Sequence, residues 1–348
     1  MKTFRIDGRM IGQDCEPYII AEAGINHNGD IDLAKKMILA AKEAGVDAVK
    51  FQTFHSEEFI QDQSLTYTYT SQGKEVTESM LDMFRRNEFT ESEWFEIKRF
   101  CDENEITFLS TPQNYSDLEL LLRVGIAAIK VGSDDFVNIP LVRSYAKYGL
   151  PMVLSCGMAD EEEIGRTLRE VELNPTALLV CTSQYPTPEK DVNILKLNSI
   201  REKFPNVIPG LSDHTQGTEA AVMAVALGAC VFEKHFTLSH DLPGPDHWFS
   251  EEPKALKQWV YSIRRAWRMR GFPELRPTED ELEMRKIAHR SITVVKNIHA
   301  GDVFSEENLA MRRPGTGMPS YLWDDVIGKK AKRDLVTGCQ LEMGDIDR

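Results

Sequence analysis

At 348 residues, with a formal net charge of -14, the chain is long enough for one large α/β domain plus a small appendage. That acidic balance argues against nucleic-acid partners, because phosphate backbones are gripped by surplus Lys and Arg, yet a cleft's local field can still admit an anionic small substrate. The cysteines (Cys15, Cys101, Cys156, Cys181, Cys230 and Cys339) form no CxxC pair, the MKTFRIDGRMIG leader lacks an apolar signal core, and no run approaches bilayer length. A cytoplasmic protein with reduced thiols and no membrane association is expected.

Tyr18 to Gly24 (YIIAEAG) reads as a buried strand, and the NHNGD after it suits a turn and a helix N-cap. In the helix IDLAKKMILAAKEAG, Leu33, Met37, Ala40, Ala41 and Ala44 recur at three- and four-residue steps before Gly45 closes it. Ala48 to Gln52 (AVKFQ) is the second strand. Ile106 to Pro112 (ITFLSTP) precedes helical DLELLLRVG, and Ala128 to Ser133 (AIKVGS) precedes PLVRSYAKYG. Met152 to Gly157 (MVLSCG) and Ala177 to Ser183 (ALLVCTS) follow, the latter leading into VNILKLNSIREKF. The last two runs, IPGLSDH and VFEKHFT, flank one apolar helix, and each ends on a histidine. Alternating, nearly continuously apolar strands and amphipathic helices predict a (β/α)8 TIM barrel. A doubly wound open sheet is the alternative, but no GxGxxG opens the first helix.

Two insertions break the pattern. Thr53 to Phe89 is far longer than an ordinary βα loop, carries Tyr67, Tyr69, Phe84 and Arg85, and is expected to fold over the barrel mouth. Ser239 to Pro253 is rich in Pro and Gly, and the amphipathic helix KALKQWVYSIRRAWRMRG follows it. The barrel therefore spans 1–271. Residues 272–288, charged and proline-punctuated, read as a linker with a helical turn or two. Residues 289–348, with the runs SITVVK, AMRRPG and AKRDLV, read as a small β-rich domain. Its basic cluster, Lys329, Lys330, Lys332 and Arg333, is most simply a solvated face.

In a barrel of this kind chemistry gathers at the C-terminal strand ends, which here carry Glu22, Lys50, Gln52, Thr111, Lys130, Ser133, Ser155, Thr182, Ser183, Ser212, His214 and His235. Lysine is rare in a buried strand, so Lys50 and Lys130 point to an anion, phosphate or a phosphorylated carboxylate, held among the hydroxyls. The competing reading pairs each lysine with Glu22 or another carboxylate. His214 and His235, at the ends of neighbouring strands, could hold a divalent metal and leave most of its coordination sphere open. Asp135 and Asp246 lie just beyond strand ends and suit proton transfer or sugar-hydroxyl contacts. Cys156 and Cys181 read as small core residues.

The motifs AEAGINHNGD, VKFQTF, STP, IKVGS, the YPTP after CTS, GLSDHTQG, EKHFTL, GPDH and RRPGTG resemble, in order along nearly the whole chain, those of the sialic acid synthase family. The resemblance implies a TIM barrel with a C-terminal antifreeze-like (SAF) domain, a domain-swapped homodimer, and a divalent metal, Mn2+ or Mg2+, on His214 and His235. It implies condensation of phosphoenolpyruvate with an N-acylated hexosamine such as N-acetylmannosamine, giving a nine-carbon sialic acid and phosphate. Lys50, Thr111, Lys130, Ser133, Ser155, Ser183 and Ser212 would bind the phosphoenolpyruvate, while Glu22, Gln52, Tyr185 and Asp246 would face the sugar. Arg313 would reach the partner's barrel. The family's GSGE or GSGD appears as GSDD, which puts Asp135 in the acidic position, and Trp248 and Phe249 replace small basic and alanine residues after GPDH. These departures bear on the acceptor: N-acetylmannosamine, its 6-phosphate, and the 6-deoxy diamino sugars leading to legionaminic or pseudaminic acid all fit. A metal-dependent barrel hydrolase, or a sugar-binding module without turnover, are the readings from other classes.

Overall fold

The computed structural model describes residues 3–347. The chain divides after Gly271 into two compact units. In the first, strands and helices alternate: β1 (Tyr18–Gly24), α1 (Ile31–Ala44), β2 (Ala48–Thr53), α2 (Glu91–Glu103), β3 (Thr107–Pro112), α3 (Tyr115–Val124), β4 (Ile129–Val131) and α4 (Ile139–Ala146). The series continues with β5 (Met152–Ser155), α5 (Glu161–Glu170), β6 (Thr176–Cys181), α6 (Lys196–Lys203), β7 (Ile208–Asp213), α7 (Glu219–Ala226), β8 (Val231–His235) and α8 (Pro253–Arg270). All eight strands are parallel in the order β3-β2-β1-β8-β7-β6-β5-β4, and β3 and β4 lie side by side, so the sheet curls into a near-closed barrel. No helix is long and apolar enough to cross a membrane among the described residues.

The two-residue period of a strand explains the barrel's layers. Ile19, Ala21, Val49, Phe51, Leu178, Val180 and Phe232 point outward and join the helix-facing core. Ile20, Ala48, Leu109, Val153, Leu179 and Val231 point inward and fill the lower barrel, where Ile6 and Ile11 of an N-terminal hairpin plug the bottom. One step further up each strand, the inward positions turn polar. Gly210 is required by this packing: a Cβ there would lie 2.3 Å from Leu179 Cδ2 and 2.5 Å from the Val231 carbonyl oxygen.

The helices follow from local signals. Asp30 caps α1 by accepting from the Asp32 and Leu33 N–H groups, and Gly45, at φ 86°, ends it in the left-handed conformation. Thr90 and Glu93 form a reciprocal capping box at α2.

The first insertion contains an antiparallel hairpin of Thr66–Ser71 and Lys74–Ser79 between short helices at Ser56–Phe59 and Met80–Arg85. Gln72 Nε2 donates to the Asp241 carbonyl at 2.7 Å, and the Gly244 N–H donates to Ser71 Oγ at 3.1 Å. The hairpin tip is thereby tied to the second insertion beside the mouth.

The second unit has its own core around Ile292, Val294, Ile298, Phe304, Leu309 and Leu341, with Ser291–Val294 and Leu309–Arg312 paired antiparallel. The AKRDLV run contributes only single bridges, such as Ala331 with Ile346. Where the sequence predicts a linker with a helical turn or two, Glu279–Ala288 is a ten-residue helix. The cause is a Thr278–Glu281 capping box, with acids in its first turn and Arg285 and Lys286 in its last, all favourable to the helix dipole. Lys329, Lys330, Lys332 and Arg333 are exposed, and Arg333 pairs with Asp345 at 2.6 Å.

Candidate active site

A cavity of about 310 Å3 opens at the C-terminal ends of the strands. Its walls include Glu22, Lys50, Gln52, Thr111, Lys130, Ser133, Ser155, Ser183, Tyr185, Ser212, His214 and His235, so twelve residues singled out from the sequence converge there. The deep layer is a lattice of buried charges. Lys50 Nζ lies 2.8 Å from Glu22 Oε2 and donates to Thr111 Oγ1 at 2.8 Å, while Lys130 Nζ donates to Ser155 Oγ at 2.8 Å. Glu233, absent from the sequence reading, stands between the amines, 3.9 Å from Lys50 and 3.7 Å from Lys130, and accepts from Ser212 Oγ at 3.3 Å. The pairing of lysines with carboxylates is therefore real, and the amines do not face the cavity as two bare charges.

Burial sets the proton balance of this lattice. It lifts Glu22 above the ordinary carboxylate range against the pull of Lys50. It works to lower Lys50, but Glu22 and Glu233 outweigh it and hold that proton tighter than usual. Lys130 is lowered, burial being the main cause. Glu233 resists its own burial because Lys130 and Lys50 pull it below the usual value. Two amines and two carboxylates thus share one buried lattice, in which burial works against every charge and an incoming anion would find Lys50 and Lys130 as its cationic partners.

Two hydroxyls, those of Ser133 and Ser183, also line the cavity. A Cβ on Gly157 would lie 2.6 Å from Ser183 Oγ and 2.7 Å from Ser133 Oγ. The glycine therefore lets both hydroxyls close in, and its own N–H donates to Ser133 Oγ at 3.0 Å. Ser183 Oγ is buried without a protein partner.

The two imidazoles have ring centres 5.4 Å apart. His214 Nδ1 donates to the Thr182 carbonyl at 2.9 Å, which in the neutral ring puts the lone pair on Nε2; burial lowers this ring's proton affinity, but Cys181 and the Thr182 carbonyl outweigh it and raise it above the ordinary value. His235 Nδ1 is buried without a hydrogen-bond partner, 4.0 Å from Asp246 Oδ2, and burial holds this ring neutral, well below its ordinary pKa. Imidazole nitrogens bind a divalent ion at roughly 2.0–2.1 Å, which places two ring centres about 5 Å apart around one ion. The pair fits two ligands of an open divalent site. No ready-made cluster of three His, Cys, Asp or Glu ligands occurs among the described residues. The remaining positions would therefore fall to substrate, water or an oxygen such as that of Asp246, whose carboxyl burial raises to about 6.

Two placements, those of Asp135 and Cys181, differ from the sequence reading. Asp135 accepts from Asn138 Nδ2 at 3.0 Å at the start of α4 and is not part of the cavity wall; its neighbour Asp134 is. Cys181 lines the cavity with its sulfur 4.0 Å from His214 Nδ1, so it is more than core filler. Arg313 is exposed in the second unit and donates from Nε to the Ala288 carbonyl at 2.9 Å. Glu233 was within reach of the sequence: two residues before His235 on one strand, it must share that ring's inward face.

Aromatic rings pack about the two imidazoles, and of these Tyr185 lines the cavity. Tyr185 lies 4.3 Å from His214 and 5.0 Å from Phe249, ring centre to ring centre, and Phe249 lies 5.3 Å from His235. Trp248 backs Phe249 edge-on at 5.7 Å.

Comparisons with known proteins agree with this architecture. The NeuB family model matches residues 37–274, and the SAF domain model matches residues 289–347. N,N'-diacetyllegionaminic acid synthase of Legionella pneumophila is 34% identical over 337 residues, covering 95% of this chain and 94% of its own. Pseudaminic acid synthase of Campylobacter jejuni is 37% identical over 341 residues, covering 95% and 97%. The crystal structure of N-acetylneuraminic acid synthetase from Leptospira borgpetersenii, in complex with citrate, matches with a TM-score of 0.74 at 32% identity, covering 81% of this chain and 95% of that one. The barrel-hydrolase alternative finds no support in these relatives. With barrel, mouth and C-terminal fold all accounted for, the chain belongs to the NeuB family of sialic acid synthases and carries a SAF domain.

Proposed function

We propose that the protein condenses phosphoenolpyruvate with an N-acylated hexosamine in its open-chain form, releasing phosphate and yielding a nine-carbon 2-keto-3-deoxy sugar acid. The observation that carries this reading is the gathering of a buried Lys50–Glu22–Glu233–Lys130 lattice, the Ser133 and Ser183 hydroxyls, and two imidazoles along one cavity. Membership of a family whose relatives are synthases of this kind supports it.

In this reading Lys50 and Lys130 neutralise the donor's carboxylate and phosphate, and the hydroxyls of Thr111, Ser133, Ser155, Ser183 and Ser212 fix its orientation. The aldose lies outward, against Gln52, Tyr185 and Asp246. Carbon 3 of the donor attacks the aldehyde carbon, water adds at carbon 2, and phosphate departs with cleavage of its C–O bond. Glu22, with its raised pKa, holds a proton that it can return to the new hydroxyl. Asp134, the carboxylate that faces the cavity, orients the attacking water in place of Asp135. Mn2+ or Mg2+, held by His214 and His235, would supply Lewis-acid polarisation of the aldehyde oxygen.

The working form in this reading is a domain-swapped homodimer in which Arg313 serves the partner's cavity. The assay that tests both parts is phosphate release. Release should require phosphoenolpyruvate and an aldose together, and release from phosphoenolpyruvate alone at the same rate would refute the synthase reading. Mixing Arg313→Ala protein with a Lys130→Met variant should restore part of the lost activity after subunit exchange; no recovery in verified mixed dimers would refute the swap.

A further inference from the structure

A separate pair of cavities lies outside the barrel wall, between α5 and α6. One of about 180 Å3 reaches inward to Cys156 and Cys181, and one of about 470 Å3 runs toward Pro205 and Asn206. They share Lys203 and Phe204, so together they line one trough along the helix pair. The local sequence explains why the helices leave it. α6 is eight residues long with no side-chain cap at its start, and α5 buries only Thr167 among its described residues. Helices this short and this polar do not cover the outer face of β5 and β6. Val180 and Ile200 form an apolar floor, and Ala159, Ile164 and Phe204 stay partly exposed along the sides.

The rim of this apolar trough is basic. Lys203 is paired with Glu161, whereas Lys196 makes no ion pair or side-chain hydrogen bond among the described residues. Burial pushes the Cys156 thiol up to about 12 against a pull from Lys196, so the field of this ammonium reaches the floor. In a chain with a net charge of -14, an unpaired cation beside an apolar cleft selects for an anion. The occupant that matches both features has a carboxylate head for Lys196 and a hydrocarbon body for Ile164, Val180 and Phe204.

The floor is also the back of the catalytic cavity. Cys181 lines both, with its sulfur 4.0 Å from His214 Nδ1. Ser155 and Cys156 are consecutive and face opposite ways: Ser155 Oγ accepts from Lys130 Nζ at 2.8 Å on the inner side, and Cys156 lines the trough. A body packed against Cys156 and Val180 stiffens the wall that carries Ser155 and Cys181, and a donor binding to a stiffer wall has less ordering left to impose.

We propose that the α5–α6 trough is an effector site for a small carboxylate with an apolar body, and that its occupation tightens phosphoenolpyruvate binding through the β5–β6 wall. The coupling rests on the donor placement proposed above; the site itself does not.

The test is isothermal titration of the full-length protein with octanoate and with octylamine. Octanoate should bind about fivefold tighter than octylamine, and Lys196→Glu should reverse that order, the scale of an exposed ion pair. Ser199→Trp, which lays a ring over the trough from an exposed position on α6, should abolish octanoate binding while phosphate release without octanoate stays unchanged. Saturating octanoate should lower the Kd of phosphoenolpyruvate about threefold or more, and saturating phosphoenolpyruvate should lower that of octanoate by the same factor. Equal binding of the two probes, or octanoate binding that survives Ser199→Trp, overturns the site. Octanoate binding with no change in phosphoenolpyruvate affinity overturns the effector role. A change of oligomeric state on adding octanoate, seen by light scattering, gives the trough to a second copy of the chain and also overturns it. Phosphoenolpyruvate that fails to bind with or without octanoate overturns the donor reading and the coupling together, while selectivity between the probes still decides the site.

Discussion

Replacing Lys130 with methionine is expected to abolish phosphoenolpyruvate turnover and to destabilise the barrel by about 3–5 kcal/mol, the cost of removing one partner from a buried ion pair. Lys130 is 3% exposed and Glu233 4% exposed, so the carboxylate left behind could not recover its hydration. Its remaining cation, Lys50, is 3.9 Å away and already engaged by Glu22 at 2.8 Å. The double variant Lys130→Met with Glu233→Gln should recover most of the lost stability, because a neutral amide can still accept from Ser212. It should recover none of the activity, because the donor's phosphate would still lack an ammonium. Chemical denaturation of the two variants checks the first half, and phosphate release checks the second. Equal stability of the single and double variants would show that Glu233 carries no charge in this setting.

His235→Ala gives the opposite balance: a fall in turnover of about a thousandfold or more, the size expected when Lewis-acid assistance to a developing alkoxide is lost, with little change in stability. The ring makes no protein hydrogen bond through Nδ1, so truncation leaves no broken partner, and its main losses are contacts with Tyr185 and Phe249. An unsatisfied buried nitrogen costs stability in the wild-type protein, and relieving it offsets much of the lost packing. Manganese binding followed by electron paramagnetic resonance should weaken in parallel with activity. A drop in stability of several kcal/mol, or unchanged manganese affinity, would show that His235 serves the fold rather than a metal.

The barrel was readable in the sequence because its strands are buried on both faces and turn polar only at their ends. The run YIIAEAG matches β1 residue for residue, and the polar end of each run lies on the cavity wall. Parity along a strand would also have revealed Glu233, since Phe232 and Lys234 point outward, Lys234 to Asp213 at 3.0 Å. The choice between Asp134 and Asp135 was not readable. β4 ends at Val131, and beyond a strand's end the loop's path, not a two-residue period, decides which side chain turns inward. The 66–79 hairpin read as a polar loop because its Thr–Tyr alternation carries few aliphatic residues, although Gln72 and Gly73, both at positive φ, make the tight turn that such a pairing needs. Cys181 and His214 are distant in sequence and meet only because β6 and β7 pair with Cys181 beside Ser212.

Diffraction from crystals soaked with Mn2+ and phosphoenolpyruvate, recorded at the manganese edge, tests the central claim most directly. An anomalous peak shared by the His214 and His235 rings, with the donor's phosphate and carboxylate within hydrogen-bonding reach of Lys50, Lys130 and the Ser133–Ser183 hydroxyls, is the result this account predicts. Manganese bound elsewhere in an otherwise ordered barrel, or the donor lying away from both lysines, would contradict it.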